Sequence, residues 1–240
     1  MKRGSIMPAV VYHRTVPMMF VHSLIDTYKA MPHLLPLQAA SNALPNRART
    51  MNGRAFLASD AEWIFLIDDD MAWIPESLIR LVQTAKEKKA KAISGLTFME
   101  PGYERVVPHA YDLIPLPSGG YTQLPYVMLP SMEEPFKVKA VGGACFLVHR
   151  QVYEDVLAMA KGKTGYPWQE EVYNPRTDTQ LGEDLVFSHR IRQAGHDIWY
   201  DPRAVFLHTR KTQFLGLQEY TESLESLAAQ DVLTREVEDA

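Results

Sequence analysis

The chain has 240 residues, of which 46% are hydrophobic and 22% charged, a balance that excludes a disordered or fibrous chain. The formal net charge is −4, so the basic surplus that neutralises nucleic-acid phosphates is missing and we expect no nucleic-acid partner. Cys145 is the only cysteine, which excludes an intramolecular disulfide, and no apolar run reaches the ~20 residues of a membrane span. These features predict a cytoplasmic protein and leave its oligomeric state open.

The first half of the chain alternates apolar runs with segments of helical character. Strands are predicted at 9–12, 34–39, 63–67 and 92–98, and helices at 20–30, at 46–59 and from Pro75 onward. The run 63–67 is apolar without interruption, which is typical of a strand buried on both faces of a parallel sheet. The alternation predicts an α/β fold with a mainly parallel central sheet.

The second half is less regular. Residues 101–135 are rich in proline and predict a long irregular surface segment, and residues 163–181 predict a second one. Ordered structure is predicted at 138–148, 151–161, 183–194, 198–200 and 204–207, with Gly162 and Gly195 ending helices. We therefore predict one domain over 1–212 and a C-terminal helical appendage over 213–240.

Three adjacent carboxylates, Asp68, Asp69 and Asp70, follow the predicted strand at 63–67. Ligands bind at strand ends in open α/β sheets, and adjacent carboxylates repel one another unless a cation joins them. Mg²⁺ and Mn²⁺ sites often use one or two carboxylates together with substrate phosphates. Capping of the helix at Pro75 is the alternative, and it explains Asp69 alone equally well, but a cap needs only one carboxylate.

Other acidic or glycine-rich sites do not match the sequence. An EF-hand loop starting at Asp68 would need Gly and Glu where the chain has Trp73 and Ile79. Neither a Walker A loop nor a Gly-x-Gly-x-x-Gly fingerprint occurs. Calcium-loop, P-loop and dinucleotide-binding functions are therefore excluded.

Two further elements carry candidate functional groups. Glu183 and Asp184 open a predicted helix, where capping and the helix dipole explain them as well as catalysis does. His208 ends a short predicted strand, a place where a lone histidine is usually a packed or surface residue. Its imidazole becomes relevant beside the acidic turn, because a nitrogen ligand can complete a Mn²⁺ site.

Taken in order, these motifs resemble those of GT-A-fold glycosyltransferases, especially the family-two-like group of the nucleotide-diphospho-sugar transferase superfamily. The motifs are Arg49 with its helix, Trp-Ile-Phe-Leu-Ile-Asp-Asp-Asp-Met at 63–71, Val-Gly-Gly-Ala-Cys-Phe-Leu-Val-His-Arg at 141–150, Gly-Glu-Asp-Leu-Val-Phe at 182–187, and His208. The resemblance covers residues 9 to 210. It implies a three-layer GT-A-like sandwich and a metal-dependent, hexosyltransferase-like transfer from a nucleotide-diphosphate sugar to a carbohydrate or other hydroxyl acceptor.

The resemblance also implies roles for individual residues. Asp68 and Asp70 would form an Asp-x-Asp element that holds Mn²⁺ or Mg²⁺ together with His208. Asp184, with Glu183 beside it, would be the general base of an inverting reaction. Trp168 would contact the acceptor, although packing against the domain is the alternative. The donor-binding set would be Arg14, Thr15, Arg49, Asp68, Asp69 and Gly143.

Departures from the family pattern keep other possibilities open. The usual Asp-Gly-Ser turn is replaced by residues 13–15 or by Asn46-Arg47, which leaves the donor base and sugar undetermined. The Gln-x-x-Arg-Trp element of processive polysaccharide synthases is absent. A sugar nucleotidyltransferase is the alternative enzyme, although residues 13–19 lack the glycine of its loop. A non-catalytic carbohydrate-binding scaffold of the same fold is the alternative from another class, and the stereochemistry of transfer stays open.

Overall fold

The computed structural model describes most of the chain. The described residues are 6–12, 16–41, 44–99, 106–117, 120–129, 131–162, 164–174, 179–210, 213–215, Leu217, Tyr220, Thr221 and Glu225. The helices in these residues are α1 (Met18–Ala30), α2 (Pro45–Ala58), α3 (Pro75–Glu87), α4 (Arg150–Ala160) and α5 (Glu183–Gln193). The first eight strands are β1 (Ile6–Tyr12), β2 (Gln38–Ser41), β3 (Trp63–Asp68), β4 (Met71–Trp73), β5 (Ala92–Leu96), β6 (Phe98–Met99), β7 (Val107–Pro108) and β8 (Ala110–Pro115). The remaining strands are β9 (Tyr121–Pro125), β10 (Phe136–Val138), β11 (Ala140–Val141), β12 (Cys145–His149), β13 (Val172–Asn174), β14 (Thr179–Leu181), β15 (Ile198–Arg210) and β16 (Gln213–Leu215).

A large mixed sheet forms the centre of the domain. Its strand order is β10-β15-β5-β12-β3-β1-β2, and β4 and β16 also pair with β15. β1 is parallel to β2 and β3, and β15 is parallel to β5, whereas β12 runs antiparallel to both of its neighbours. Because β10 and β12 alone run against the others in this order, the prediction of a mainly parallel sheet is confirmed.

Helices cover both faces of the sheet. Phe20 of α1 and Leu78 of α3 belong to one apolar cluster, whereas Phe56 of α2, Tyr153 of α4 and Phe187 of α5 belong to the other. Strand β3 supplies both clusters, because its successive side chains alternate between the two faces of the sheet. This alternation explains why the run 63–67 is apolar throughout, and it confirms the predicted three-layer α/β architecture.

Proline and glycine set several of the helix boundaries. Pro45 and Pro75 occupy the first helical positions of α2 and α3, where the missing N–H group costs no intrahelical hydrogen bond. Gly162 and Gly195 follow α4 and α5 with φ angles of 75° and 83°, in the left-handed region that glycine adopts most easily. The predicted helix ends at these two glycines are therefore confirmed.

The prediction of irregular structure in the second half needs correction. Strands β8 and β9 pair antiparallel, β11 adds to β8, and β13 pairs with β14. Tyr111 and Leu113 of β8 are buried and pack with Ala140 and Leu185, so this small sheet has its own apolar contacts. Pro115 and Pro125 stand at the last positions of β8 and β9, where they end a strand rather than interrupt it.

The segment after residue 212 lies largely outside the described residues. Its backbone first forms β16, which pairs with β15. The ring of Tyr220 stacks on Phe98 with centroids 4.8 Å apart, and its hydroxyl accepts a hydrogen bond from Met128 N–H. The helical appendage over 213–240 stays a prediction. Among the described helices, none is long and apolar enough to cross a membrane.

Candidate active site

The acidic turn and His208 meet because β4 pairs with β15. Met71, directly after the turn, lies opposite His208 in this antiparallel pairing. The N–H and hydroxyl groups of Thr209 both donate to the Asp70 carbonyl, at 2.7 and 2.6 Å. The imidazole Nε2 of His208 consequently lies 2.8 Å from Asp70 Oδ2, although 138 positions separate the two residues.

The Asp70 side chain keeps one unused acceptor atom beside His208. Burial alone would lower the pKa of His208, but the hydrogen bond and charge of Asp70 raise it above its ordinary value. Asp70 Oδ1 is shielded from solvent and makes no hydrogen bond with the described residues. A shielded carboxylate oxygen without a partner is costly, and a bound cation would satisfy it.

Arg49 links the acidic turn to the start of α5. Its guanidinium Nη2 lies 2.9 Å from Asp68 Oδ1, and its Nε lies 3.4 Å from Glu183 Oε1. Burial alone would lower the pKa of Arg49, but the carboxylates of Asp68, Glu183 and Asp184 raise it. Burial raises the pKa of Asp68, Arg49 opposes that rise and the charge of Asp70 adds to it. The buried guanidinium therefore holds three carboxylates in one region.

Asp184 is held at the turn before β12. Its Oδ2 accepts a hydrogen bond from Gly143 N–H at 3.1 Å, and its Oδ1 accepts one from Leu185 N–H. Burial raises the pKa of Asp184, although Arg49 and the two N–H donors act against that rise. A side chain at position 143 would overlap the Arg49 guanidinium, so glycine is needed there for the close approach.

Two aromatic side chains of the site were missed by the sequence analysis. The His109 ring lies 6.1 Å from the His208 ring and next to Gly142, and its shielded Nδ1 makes no hydrogen bond with the described residues. Burial, reinforced by the positive charges of His208 and Arg49, lowers the pKa of His109 to about 3. Tyr111 is buried nearby. Both residues belong to the proline-rich segment predicted to be irregular, where no sequence pattern marks an inward-facing side chain.

The acceptor contact predicted for Trp168 is corrected by the structure. The indole is 1% exposed, and its Nε1 donates a hydrogen bond to the Tyr153 carbonyl. It packs against Tyr153 and over Gly53, where a Cβ atom would lie 2.9 Å from the ring. Because neither face of the ring is accessible, Trp168 is a core residue, which was the alternative considered from the sequence.

Only some of the site residues predicted from the sequence lie together in the structure. Arg14 and Thr15 lie outside the described residues, and Asp69 is partly exposed in the turn between β3 and β4. In the part of the chain that the structure describes, no three His, Cys, Asp or Glu side chains are grouped to hold a metal ion, and Asp68 faces Arg49. The adjacent carboxylate and imidazole of Asp70 and His208 nevertheless fit a Mn²⁺-type cation that takes its other ligands from phosphate and water.

Comparisons with known proteins agree with this architecture. A family model described as "Glycosyltransferase like family 2" matches residues 37–230. The crystal structure of A197 from STIV superposes with a TM-score of 0.57 at 12% identity, covering 89% of this chain and 91% of that one. The crystal structure of GalNAc-T7 with UDP, GalNAc and Mn²⁺ superposes with a TM-score of 0.54 at 15% identity, covering 93% of this chain but 48% of that one. No curated protein matches the chain.

At these identities the structural neighbours bear on the fold alone, and they agree with the GT-A-like fold implied by the sequence resemblance. The family match spans most of the chain and includes Arg49, the acidic turn, Asp184 and His208. The chain therefore belongs to glycosyltransferase-like family 2 and is a glycosyltransferase.

Proposed function

We propose that this glycosyltransferase is metal-dependent and moves a sugar from a nucleoside-diphosphate sugar to a hydroxyl acceptor, with inversion at the anomeric carbon. The observation that carries the proposal is the contact between Asp70 and His208, 2.8 Å apart at the carboxyl end of the sheet. Ligands of open α/β sheets bind at that edge. The neighbour GalNAc-T7, whose structure contains UDP and Mn²⁺, supports a similar donor and cation here.

The residues present would hold a divalent cation through Asp70 and His208, with Asp68 beside them. When bound, such a cation neutralises negative charge on the departing diphosphate. Asp69, Arg49 and Gly143 would position the donor, with Arg14 and Thr15 as further candidates outside the described residues. Arg49 already neutralises Asp68 and Glu183, which keeps the acidic turn from repelling an anionic donor.

Asp184 would act as the general base. Its carboxylate is oriented by the Gly143 and Leu185 N–H groups and retains further lone pairs to accept a proton. In the proposed step the acceptor oxygen forms a bond to the anomeric carbon as the bond to the diphosphate oxygen breaks. The acceptor proton passes to Asp184. Because the attack comes from the face opposite the leaving group, the configuration inverts.

The donor and cation are tested together by thermal unfolding. The chain is melted with UDP, GDP, ADP, CDP or dTDP, each with and without Mn²⁺, because a ligand at 100 times its dissociation constant stabilises by ~2.7 kcal/mol. We expect one diphosphate to stabilise the protein only when Mn²⁺ is present. Asp70→Asn should remove this gain, whereas Asp60→Asn, at an exposed position outside the site, should keep it.

Two results would contradict the proposal. One is stabilisation by a diphosphate that is equal with and without Mn²⁺, and the other is a full metal-dependent gain in Asp70→Asn. The base is tested separately by hydrolysis of the sugar donor, in which water replaces the acceptor. Asp184→Asn should slow release of the diphosphate by ~10²- to 10⁴-fold, while its metal-dependent melting shift stays that of the unmodified chain.

A further inference from the structure

A cavity of about 520 Å³ lies behind the ribbon that β4 and β15 form. Side chains alternate between the two faces of a strand. Phe206 therefore enters the core and His208 reaches Asp70 on one face of β15, while Val205 and Leu207 line the cavity on the other. The cavity thus lies on the opposite face of the ribbon from the candidate active site.

The walls of this cavity are mainly apolar. Met19 of α1, Ala72 of β4, Ile74, Val205 and Leu207 are the apolar residues that line it on this face of the ribbon. Two of these apolar side chains are open to solvent, since Ile74 is 62% exposed and Met19 is 46% exposed. Ligand pockets of ~300 to 1,000 Å³ with apolar walls and few polar groups are typical of small-molecule sites.

Apart from the exposed Glu76, the polar side chains that line the cavity are engaged by the protein, with one cationic exception. Ser23 Oγ accepts a hydrogen bond from Trp73 N–H, and Ser77 Oγ donates one to the Val205 carbonyl. The Arg203 guanidinium is bound by the buried carboxylate of Asp201. Arg80, which is half-buried at the cavity, forms neither a hydrogen bond nor an ion pair with any described residue.

Glu76 also borders the cavity, but its side chain is exposed on the first turn of α3 and no ion pair joins it to Arg80. A guanidinium beside apolar walls is a ready partner for a carboxylate or phosphate oxygen, because charge-assisted hydrogen bonds are the strong ones. A sugar or nucleotide does not match these walls, since most of its hydroxyl groups would lose water without gaining a partner.

We propose that the cavity binds a single-chain amphiphile with an anionic head, such as a medium-chain fatty acid. Its alkyl chain would lie against Met19, Val205 and Leu207, and its head group would bind Arg80. The proposal concerns a site separate from the candidate active site and does not depend on the metal or the nucleotide donor.

The test is isothermal titration calorimetry with decanoate below its critical micelle concentration. We expect saturable binding of one decanoate per chain. Arg80→Met keeps the unbranched apolar stem of the side chain but removes the charged guanidinium, and it should weaken binding about tenfold or more, a tenfold change being about 1.4 kcal/mol. Lys86→Met removes an exposed charge from the same helix and should leave decanoate binding unchanged.

The apolar part of the site has its own test. Ile74→Glu places a charged group at the opening, where the native side chain is largely exposed, so we expect the variant to fold. This substitution should weaken binding of both decanoate and uncharged 1-decanol. Decanol should bind the unmodified chain more weakly than decanoate does, and Arg80→Met should not weaken decanol binding further.

Several results would overturn the proposal: no saturable binding to the folded chain, binding only above the micelle concentration, or decanol binding as tight as that of decanoate. Equal decanoate affinity in Arg80→Met and the unmodified chain would also overturn it. A melting curve for each variant confirms that the comparison is made on folded protein. Self-association of the chain through the apolar opening, blocked by Ile74→Glu but not displaced by decanoate, would assign the surface to a second copy instead.

Discussion

The guanidinium of Arg49 lies 2.9 Å from the carboxylate of Asp68, at the point where α2 passes the end of β3. The same guanidinium reaches Glu183 at the start of α5, at 3.4 Å. The side chain of Arg49 is 8% exposed, so the guanidinium depends on these two carboxylates rather than on water for its partners. Removing one partner of a buried ion pair leaves the other charge buried without compensation. The free-energy cost of that uncompensated charge exceeds the stabilisation that the intact pair contributes.

Replacing Arg49 with methionine should therefore lower the free energy of unfolding by about 3 kcal/mol. Arg49→Lys should lose less, because lysine restores the charge but not the planar fork that reaches two carboxylates. Chemical denaturation measures both values. Arg54→Met, at an exposed position of the same helix, is the matched control and should change stability by less than about 0.5 kcal/mol. If Arg49→Met lowered the free energy of unfolding no more than Arg54→Met does, Arg49 would not hold Asp68 and Glu183 together.

Substitution of Gly143 tests the same contact from the other side. A Cβ atom at this position would overlap the Arg49 guanidinium, so Gly143→Ala should displace Arg49 and weaken its ion pairs with Asp68 and Glu183. Overpacking of this kind typically costs about 1 to 3 kcal/mol. The melting temperature and the rate of donor hydrolysis should therefore both fall.

Gly165→Ala is the control for this substitution, since nothing lies within 4 Å of the added carbon. Its stability should stay level or rise by up to about 1 kcal/mol, because alanine restricts the unfolded chain. If Gly143→Ala behaves like Gly165→Ala, Arg49 has room to move and the contact does not constrain position 143.

The elements that could be predicted from sequence are those whose pattern is local. Strand β3 is an uninterrupted apolar run, and Pro75 begins α3 where proline is favoured. The reversed direction of β12 could not be predicted, since an apolar run has the same composition whether its strand is parallel or antiparallel. The two short strands predicted at 198–200 and 204–207 form one strand with a register shift between Asp201 and Val205.

The candidate site shows the same division. The acidic turn was recognisable because three carboxylates follow an apolar strand directly, and the structure brings His208 to Asp70. His109 was missed, and an acceptor contact was predicted for Trp168, because the surroundings of both residues are made by distant parts of the chain. Gly142 and His208 surround His109, and Gly53 and Tyr153 surround Trp168. Such contacts depend on tertiary packing and leave no periodic pattern in the sequence.

Asp201 offers a test of pH-dependent stability away from the candidate site. Its fully buried carboxylate accepts hydrogen bonds from Thr84 and Arg203. Burial alone would raise its pKa, but these donors lower it below the ordinary value. A lowered folded-state pKa stabilises the protein above the unfolded-state pKa, and this stabilisation is lost as pH falls through the folded-state value.

Asp201→Asn should therefore destabilise the chain by about 2 kcal/mol near neutral pH, because hydrogen bonds to a charged group are lost. The difference from the unmodified chain should shrink as pH falls below the ordinary range of aspartate. Urea denaturation at neutral and acidic pH measures it. Asp60→Asn, which is exposed, should show little difference at either pH. If the difference in unfolding free energy between Asp201→Asn and the unmodified chain stayed constant across this pH range, ionisation of Asp201 would not be the source of the stabilisation.

Asp184 should give the opposite dependence, because burial raises its pKa in the folded chain. A base acts only when ionised, so the rate of donor hydrolysis at saturating donor should rise with pH through a value above the ordinary range of aspartate. Asp184→Asn should lose this rise of rate with pH.

The raised pKa of Asp184 also bears on stability. A carboxyl group whose pKa is raised in the folded state stabilises the fold at low pH, and this stabilisation is lost as pH rises through the folded-state pKa, so the ionised form opposes stability at neutral pH. Asp184→Asn should therefore be at least as stable as the unmodified chain there, while losing most of its hydrolytic rate. A variant that loses stability and rate together would indicate that Asp184 positions Gly143 rather than accepting the proton.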